Sequence, residues 1–265
     1  MLMAVKNNFK LIFSYLKLNL KKEAQYKTSF FLKIVMMILN DAFFILQWIV
    51  VFSIVDNIGG YGFNEVMLLW ALSAGSYGVA HLFFENAFNI GEFIYNGKLD
   101  VYLTQPKNLL INVACSACSV SAIGDILYAF IILIIIGAAW WWYLALIPVI
   151  IVGALIYVSI IVIFESVCFY VKNGSAVADM INSATTMFGN YPPVIFSGIA
   201  KFLLYTIIPA GFMVFVPAEY IFLGFNPWAI LILIAVTILL IILAFLSFKL
   251  GLKRYSSGNL MSGRL

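Results

Sequence analysis

The 265-residue chain carries little charge and lacks the sequence motifs that mark common enzymes. Lysine, arginine, aspartate and glutamate together make up only 10% of it, and there is a single histidine. No Gly-x-x-x-x-Gly-Lys-Ser/Thr phosphate loop occurs, so we do not expect the chain to hydrolyse ATP by itself. Gly-x-Ser-x-Gly and His-Glu-x-x-His are also absent, and His81 with Glu85 provides too few ligands for a zinc protease. The sequence therefore predicts no catalytic residues.

Cysteine is also scarce. Cys115, Cys118 and Cys168 all lie inside or beside hydrophobic runs. Three is an odd number and none falls in a predicted external loop, so we interpret them as free thiols. Cys115 and Cys118 form a Cys-x-x-Cys pair, but a metal site needs further ligands that are not nearby. We therefore predict no metal site and assign the pair to the small-residue face of a helix.

Apolar residues are abundant: 65% of the chain is hydrophobic. A soluble core of this size does not need that proportion. A polytopic membrane protein does, because each transmembrane helix takes about 20 apolar residues. We predict an all-α polytopic membrane protein in which residues 1–265 form one transmembrane domain.

Six hydrophobic runs predict six transmembrane helices. The predicted spans are about 29–55, 63–88, 106–136, 144–170, 175–190 and 227–250. Residues 1–28 are predicted to form an amphipathic helix in the membrane interface, because apolar residues such as Phe9 and Phe13 recur at helical spacing among lysines.

Two local features add to this layout. Ala71 and Gly75 in the second span have the small-xxx-small spacing that permits close approach of another helix. Prolines divide residues 191–219 into pieces that are too short to span, which predicts an external re-entrant hairpin before the last span.

The distribution of basic residues predicts the orientation. Lysines and arginines cluster before the first span, after the last span, and at Lys98, Lys107 and Lys172. Only Lys201 falls on the other side of the predicted topology. Because cytoplasmic loops carry an excess of lysine and arginine, both termini are predicted to be cytosolic.

The longest polar interruption in the middle of the chain is residues 89–110. Asn89 and Glu92 have the spacing of a capping box, and Gly97 suits the position just after a helix. Pro106 can occupy the first turn of the next helix. Together with the apolar residues Leu99, Val101 and Leu103, this pattern predicts a short helix and a tight connector with an apolar side, lying at the membrane surface.

Residues 97–110 resemble a Gly-x-Leu-Asp-x-x-Leu-x-x-Pro run that follows the second span of the type-2 permeases of ABC exporters. The hydropathy layout is similar to that of a small six-span bacterial branch of that family, which also has an interfacial helix and a re-entrant hairpin. The resemblance implies that residues 89–110 hold a cytosolic coupling helix that docks on a separate ATP-binding cassette ATPase subunit. The residues to which it assigns the coupling role are Glu92, Phe93, Gly97, Leu99, Asp100 and Pro106.

By the same resemblance, the chain is the transmembrane subunit of an ATP-driven exporter in a bacterial cytoplasmic membrane. It would bind no cofactor directly, since ATP and magnesium belong to the ATPase subunit. Its partners would be that ATPase, a second permease subunit in a homodimer or heterodimer, and membrane lipid, with no nucleic acid. The substrate is expected to be amphipathic or lipid-like. Two alternatives remain open: an ion-coupled secondary transporter and a membrane scaffold without transport activity.

Five acidic residues fall inside the predicted membrane region: Asp41, Glu85, Asp125, Glu165 and Asp179. Acids inside membranes usually face the bundle interior, pair with a partner or mark a transport pathway. The candidate pathway residues are Asp125, Asp179, Asn182, Thr186 and Lys201, since the fifth span is unusually polar and the hairpin follows it. The alternative is a structural role near span ends, which suits Glu85 and Glu165 best.

Overall fold

The computed structural model describes residues 2–172, 174–208, 210–223 and 227–256, and this part of the chain is helical, with no β-strand. Its helices are α1 (Leu2–Glu23), α2 (Lys27–Phe52), α3 (Phe63–Phe84), α4 (Ile90–Tyr95), α5 (Asp100–Leu103), α6 (Leu109–Ala114), α7 (Ala122–Ile135), α8 (Trp140–Glu165), α9 (Gly174–Gly189), α10 (Gly198–Thr206), α11 (Val216–Leu223) and α12 (Pro227–Leu252). Short 3₁₀ turns follow α3 and α8, at Glu85–Asn89 and Ser166–Phe169. The predicted all-α class is confirmed for the described residues.

Four helical stretches are long and apolar enough to cross a membrane. They are Lys27–Phe52, Phe63–Tyr95, Trp140–Phe169 and Ile230–Leu252. The helices Gly198–Thr206 and Gly211–Glu219 meet at a bend of 76° and would supply a fifth if they formed one broken span. The protein is therefore a polytopic membrane protein with four or five candidate spans by length and composition. Helices α7, with 14 residues, and α9, with 16, are shorter than these candidates.

The region predicted as the third span, 106–136, is divided between α6 and α7 and is not one continuous helix. The chain leaves the helical path between Ala114 and Ala122. There the Asn86 side chain donates to the Ser116 hydroxyl at 2.7 Å, and the Ser119 amide donates to the His81 carbonyl oxygen at 3.0 Å. These bonds to the end of α3 replace the bonds of a continuous helix, because serine and asparagine side chains compete with helical backbone pairing.

Two smaller predictions in this region are wrong. Cys115 ends α6 and Cys118 lies in the break, so the two cysteines do not share a helix face. Pro106 does not enter the first turn of a helix, because α6 begins at Leu109. Asn108 caps α6 instead, where its side-chain oxygen accepts the Ile111 amide at 3.2 Å. Asparagine is among the most favourable residues at this position.

Helix α3 is at the centre of the bundle and packs closely against α7 and α8. Two glycines allow the approach. A Cβ atom at Gly75 would lie 2.7 Å from Ile150 Cγ2 of α8, and one at Gly78 would lie 2.8 Å from the Ala122 carbonyl oxygen at the start of α7. Ala71, one turn before Gly75, is fully buried. The predicted close helix packing at this small-residue pair is present in the structure.

Both ends of the described chain contact the same end of the bundle. The Tyr15 hydroxyl of α1 donates to Asn112 Oδ1 of α6 at 2.7 Å. The Tyr255 hydroxyl, just after α12, donates to Asp100 Oδ1 of α5 at 2.9 Å. At the opposite end of α3, a Cβ atom at Gly59 would lie 2.6 Å from the side chain of Val194. The loop between α2 and α3 therefore lies against the start of the predicted hairpin.

Candidate coupling segment and membrane cavity

Residues 89–110, which we call the coupling segment, fold into α4, α5 and the start of α6. Helix α4 ends at Tyr95, and Gly97, two residues later, has a φ of +68°. The Lys98 amide donates to the Phe93 carbonyl oxygen at 2.9 Å, and the Gly97 amide donates to Ile94 at 3.4 Å. These are the two hydrogen bonds of a Schellman motif, for which glycine is preferred because it lacks a Cβ atom. The prediction that Gly97 ends the helix is confirmed.

The predicted capping box at the start of α4 is wrong. The Asn89 side chain caps no amide of α4, and its Nδ2 atom instead donates to the Glu85 carbonyl oxygen at 3.3 Å. Residues 85–89 already form a helical turn that continues into α4, so no separate helix start is left to cap. Glu92 accepts a hydrogen bond from Lys98 Nζ at 2.5 Å.

One side of the coupling segment is anchored in the protein. Ile90, Ile94 and Leu99 are almost fully buried and belong to an apolar cluster with Val162 of α8 and Phe248 of α12. Burying such side chains contributes about 2 kcal/mol each. The segment is therefore fixed to the two helices beneath it.

The other side of the segment presents large apolar side chains to the surroundings. Tyr95, Val101 and Leu103 are 61%, 66% and 47% exposed. The expectation that Leu99, Val101 and Leu103 share one side is thus wrong, because Leu99 points inward and the other two point outward. Glu92 and Lys98 are also exposed. Apolar side chains surrounded by charged ones are typical of a surface that contacts another protein.

Three more of the predicted coupling residues have different surroundings. Asp100 is half-buried and accepts the Tyr255 hydroxyl, and burial together with this hydrogen bond raises the pKa of Tyr255 to about 12. Phe93 is half-buried, with its ring centroid 5.8 Å from that of Tyr102. Pro106 is exposed ahead of α6. Asp100 therefore links the segment to the C-terminal end of the chain.

A polar link joins α4 to α8. The Gly91 amide donates to Glu165 Oε2 at 2.5 Å, and Glu165 is buried. A Cβ atom at Gly91 would lie 2.7 Å from that oxygen and 2.6 Å from Cys168 Sγ. Glu85, the other acid for which a structural role was predicted, also has a partner, because His81 Nδ1 lies 2.8 Å from Glu85 Oε2. The carboxylates of Glu85 and Glu165 are thus both paired, which fits a structural role for these two residues.

A cavity of about 410 Å³ lies between α2, α3, α7 and α9. We call it the membrane cavity. Its lining residues are Met37, Asn40, Asp41, Phe44, Trp70, Ser73, Ala74, Tyr77, Asp125, Thr186, Met187, Asn190 and Tyr191. Asp41 of α2 and Asp125 of α7 are both buried, and both line this one cavity. The structure thus brings together Asp125 and Thr186 from the predicted pathway.

The other predicted pathway residues lie elsewhere. Asn182 accepts the Tyr157 hydroxyl of α8. Asp179 is exposed, because α9 buries the face that carries Ala178 and Thr185, so this acid does not face the interior of the bundle. Asp179 lines a separate cavity of about 330 Å³ near Glu92, Glu165 and Lys172, and Lys201 is exposed on α10. The residues predicted to line the substrate pathway therefore do not form a single site.

Sequence reasoning singled out Asp41 and Asp125 separately and missed that they form a pair. It also missed the aromatic walls of the membrane cavity and the link between Gly91 and Glu165. The residues of each pair are far apart in the sequence, and no local pattern relates them. The one sequence signal for the acidic pair was that Asp41 and Asp125 both lie inside predicted spans, where acids are rare.

A family model described as "ABC-2 family transporter protein" matches residues 35–258. The chain belongs to this family. The match extends from within α2 to beyond α12, so it includes both the coupling segment and the membrane cavity. No curated protein and no solved structure matches the chain. As a member of the ABC-2 family with several candidate spans, the protein is a transmembrane component of a transporter.

Proposed function

We propose that this ABC-2 family member is the permease subunit of an ATP-driven exporter and docks on a separate ATPase subunit through the coupling segment. The observation that carries the proposal is the two-sided character of this segment. Ile90, Ile94 and Leu99 anchor it in the bundle, while Val101 and Leu103 are exposed. ABC-2 family permeases generally work with an ATPase subunit, which supports this type of partner.

The contacts of the segment suggest how movement would reach the membrane region. Helix α4 follows α3 through one 3₁₀ turn and is bonded to α8 through Gly91 and Glu165. A displacement of the segment by the ATPase would therefore act on α3 and α8, which form the core. ATP and magnesium would bind to the ATPase subunit, so this chain would not be an enzyme by itself. Its exported substrate would be amphipathic or lipid-like.

A second permease subunit, identical or related, would cover exposed polar residues of α2 and α9. Asn40 is exposed within α2, and Asp179 and Ser183 are exposed on α9. Polar and charged side chains that face lipid are costly, whereas they are tolerated at a protein interface or a wet pathway. We infer that the two subunits pack through these helices and that the substrate route lies between them.

We further propose six membrane crossings, by α2, α3, α6 with α7, α8, α9 and α12. Both termini would be in the cytosol of a bacterial cell, and residues 191–219 would form an external hairpin. The contacts of Tyr15 and Tyr255 with the same end of the bundle support an even number of crossings. The excess of lysine and arginine at that end supports its cytosolic side.

The hairpin can be tested with reporter fusions. Enzymes active only outside the cytosol would be fused after Asn190 and after Leu223, and both fusions should be active. The expected result follows from the 76° bend, which makes one straight crossing by this region unfavourable. A fusion after Glu23 should be inactive and provides the control. Activity at only one of the two test positions would add a crossing and contradict the six-span topology.

Charge reversal at Glu92 tests the coupling segment. Because Glu92 is exposed and its ion pair with Lys98 contributes little to stability, Glu92→Lys should be expressed and inserted normally. At a protein interface, however, it would place a like charge opposite basic groups of the partner. We expect the amount of ATPase subunit that co-purifies to fall about tenfold, a change of about 1.4 kcal/mol.

Asp56→Lys provides the matched control, since Asp56 is exposed in the loop between α2 and α3 at the opposite end of the bundle. This variant should retain the ATPase subunit. Equal co-purification with the Glu92→Lys and Asp56→Lys variants would remove Glu92 from the interface. If no ATPase of the ATP-binding cassette type co-purifies with the unaltered chain, a secondary transporter or a scaffold would become the better hypothesis.

A further inference from the structure

The membrane cavity contains an acidic pair, Asp41 and Asp125, and none of the described residues that line it is basic. Asp41 is 5% exposed and Asp125 is 2% exposed. Two carboxyl groups that line one buried cavity repel each other when both are ionised, so such a pair holds one proton and one negative charge. The lining residues of this cavity, all within the described chain, include no lysine, arginine or histidine. A negative charge buried in a membrane bundle is costly unless a cation accompanies it.

Aromatic rings form much of the remaining wall. Phe44, Trp70, Tyr77 and Tyr191 all line the cavity, and the rings of Phe44 and Trp70 are 4.4 Å apart between centroids. Aromatic faces attract alkylammonium groups through their quadrupoles, and the attraction grows when water is excluded. A carboxylate surrounded by such faces is suited to an organic cation rather than to a small metal ion, which prefers several oxygen ligands.

Unpaired polar atoms at the cavity also point to a ligand. Trp70 is 94% buried, since its exposed fraction is 6%, yet its indole N–H has no acceptor among the described residues. The side-chain oxygen Oδ1 of Asn190 is buried and has no donor within the same part of the chain. Buried donors and acceptors are normally satisfied. Here Asn190 could accept from an ammonium N–H, and Trp70 could donate to an oxygen on the same ligand.

We propose that the membrane cavity binds an organic cation with an amine or quaternary ammonium group, and that this class of molecule is the exported substrate. The assignment of the cation as substrate rests on the proposed exporter function. On binding, the ammonium group lies against the ionised carboxylate of the pair, and the pair keeps its shared proton. With a singly charged cation the net charge of the site changes from minus one to zero. The cation therefore competes with a second proton for the same negative charge.

Competition between the cation and protons should make cation binding depend on pH. The titratable groups that line the cavity beside the pair are Tyr77 and Tyr191, and Tyr128 follows Asp125 on α7. Behind Tyr77 lie His81, with ring centroids 4.1 Å apart, and its ion-pair partner Glu85. Tyrosine stays neutral across the mildly acidic range. Lower pH should favour the doubly protonated form of Asp41 and Asp125 and weaken cation binding.

The test uses the purified full-length chain in lipid nanodiscs without an ATPase. The probe is radiolabelled 2-phenoxyethylamine, a primary ammonium ion with an ether oxygen, and its neutral isostere propoxybenzene is the competitor control. We expect saturable binding of the cation that weakens by about tenfold or more between about pH 8 and about pH 5. The neutral isostere should compete at least about tenfold more weakly. Absence of saturable binding, equal competition by the isostere, or binding independent of pH would overturn the proposal.

Isosteric variants locate the site. Asp125→Asn keeps the shape of the side chain and removes its charge, and we expect cation affinity to fall about tenfold or more. Asp56→Asn, which changes an exposed acid in the loop between α2 and α3 and outside this cavity, should alter affinity by less than about twofold. Unchanged affinity in Asp125→Asn would contradict the proposal, and the pH series on the unaltered chain decides the matter if that variant fails to fold. ATPase co-purification is measured separately, so failure of cation binding alone leaves the exporter proposal intact.

Discussion

Replacing Gly78 by leucine should strongly destabilise the membrane bundle. A Cβ atom at this position would lie 2.8 Å from the Ala122 carbonyl oxygen and 3.0 Å from Asp125 Cβ. The carbonyl belongs to the backbone at the start of α7 and cannot move aside as a side chain would. Leucine would therefore force α3 and α7 apart at the packed centre of the protein.

The expected loss in the free energy of unfolding is about 3 kcal/mol, the upper part of the usual range for an overpacked core. Titration with denaturing detergent, followed by tryptophan fluorescence, would measure the change. Gly78→Ala should have a smaller effect of the same sign. Val35→Leu adds volume to an exposed position of α2 and should leave the unfolding curve almost unchanged. A Gly78→Leu protein as stable as the Val35→Leu protein would contradict the close packing of α3 and α7.

Replacing Val101 and Leu103 together by aspartate should abolish stable association with the ATPase subunit. Both side chains are exposed, at 66% and 47%, so their replacement removes little packing from the permease itself. Exposed substitutions usually change stability by less than about 0.5 kcal/mol. In a docked complex these positions would be buried, and two new carboxylates would have to lose their water without gaining a partner.

We expect the dissociation constant of the complex to rise about thirtyfold or more, since an interface residue of central importance contributes about 2 kcal/mol or more. Biolayer interferometry with the permease in nanodiscs would measure it. Ile54→Asp is the control, because Ile54 is 80% exposed just after α2 at the opposite end of the bundle. Wild-type affinity in the Val101→Asp, Leu103→Asp protein would mean that the exposed side of α5 is not the docking surface.

The long helices could be predicted because their signal is local. An apolar run of sufficient length predicts a membrane helix without knowledge of its neighbours. The predicted spans at 29–55, 144–170 and 227–250 overlap α2, α8 and α12 almost completely. Gly97 could also be predicted, since the end of a short helix depends on adjacent residues alone.

The features that were missed depend on contacts between distant parts of the chain. The break before α7 is formed by bonds from Asn86 and His81 of the preceding helical region. The inward direction of Leu99 depends on α8 and α12, and the partner of Asp100 is 155 residues further along the chain. The pairing of Asp41 with Asp125 likewise requires α2 and α7 to be adjacent, which hydropathy does not indicate.

Site-specific photo-cross-linking from position 101 is the most direct test of the proposed exporter function. A photoreactive phenylalanine would replace Val101 in one chain and Ile54 in another, and both would be illuminated in native membranes. We predict a covalent adduct between position 101 and an ATPase subunit of the ATP-binding cassette type, identified by mass spectrometry, and none from position 54. An ATPase adduct from neither position, with both chains inserted at normal levels, would contradict the docking of this permease on an ATPase.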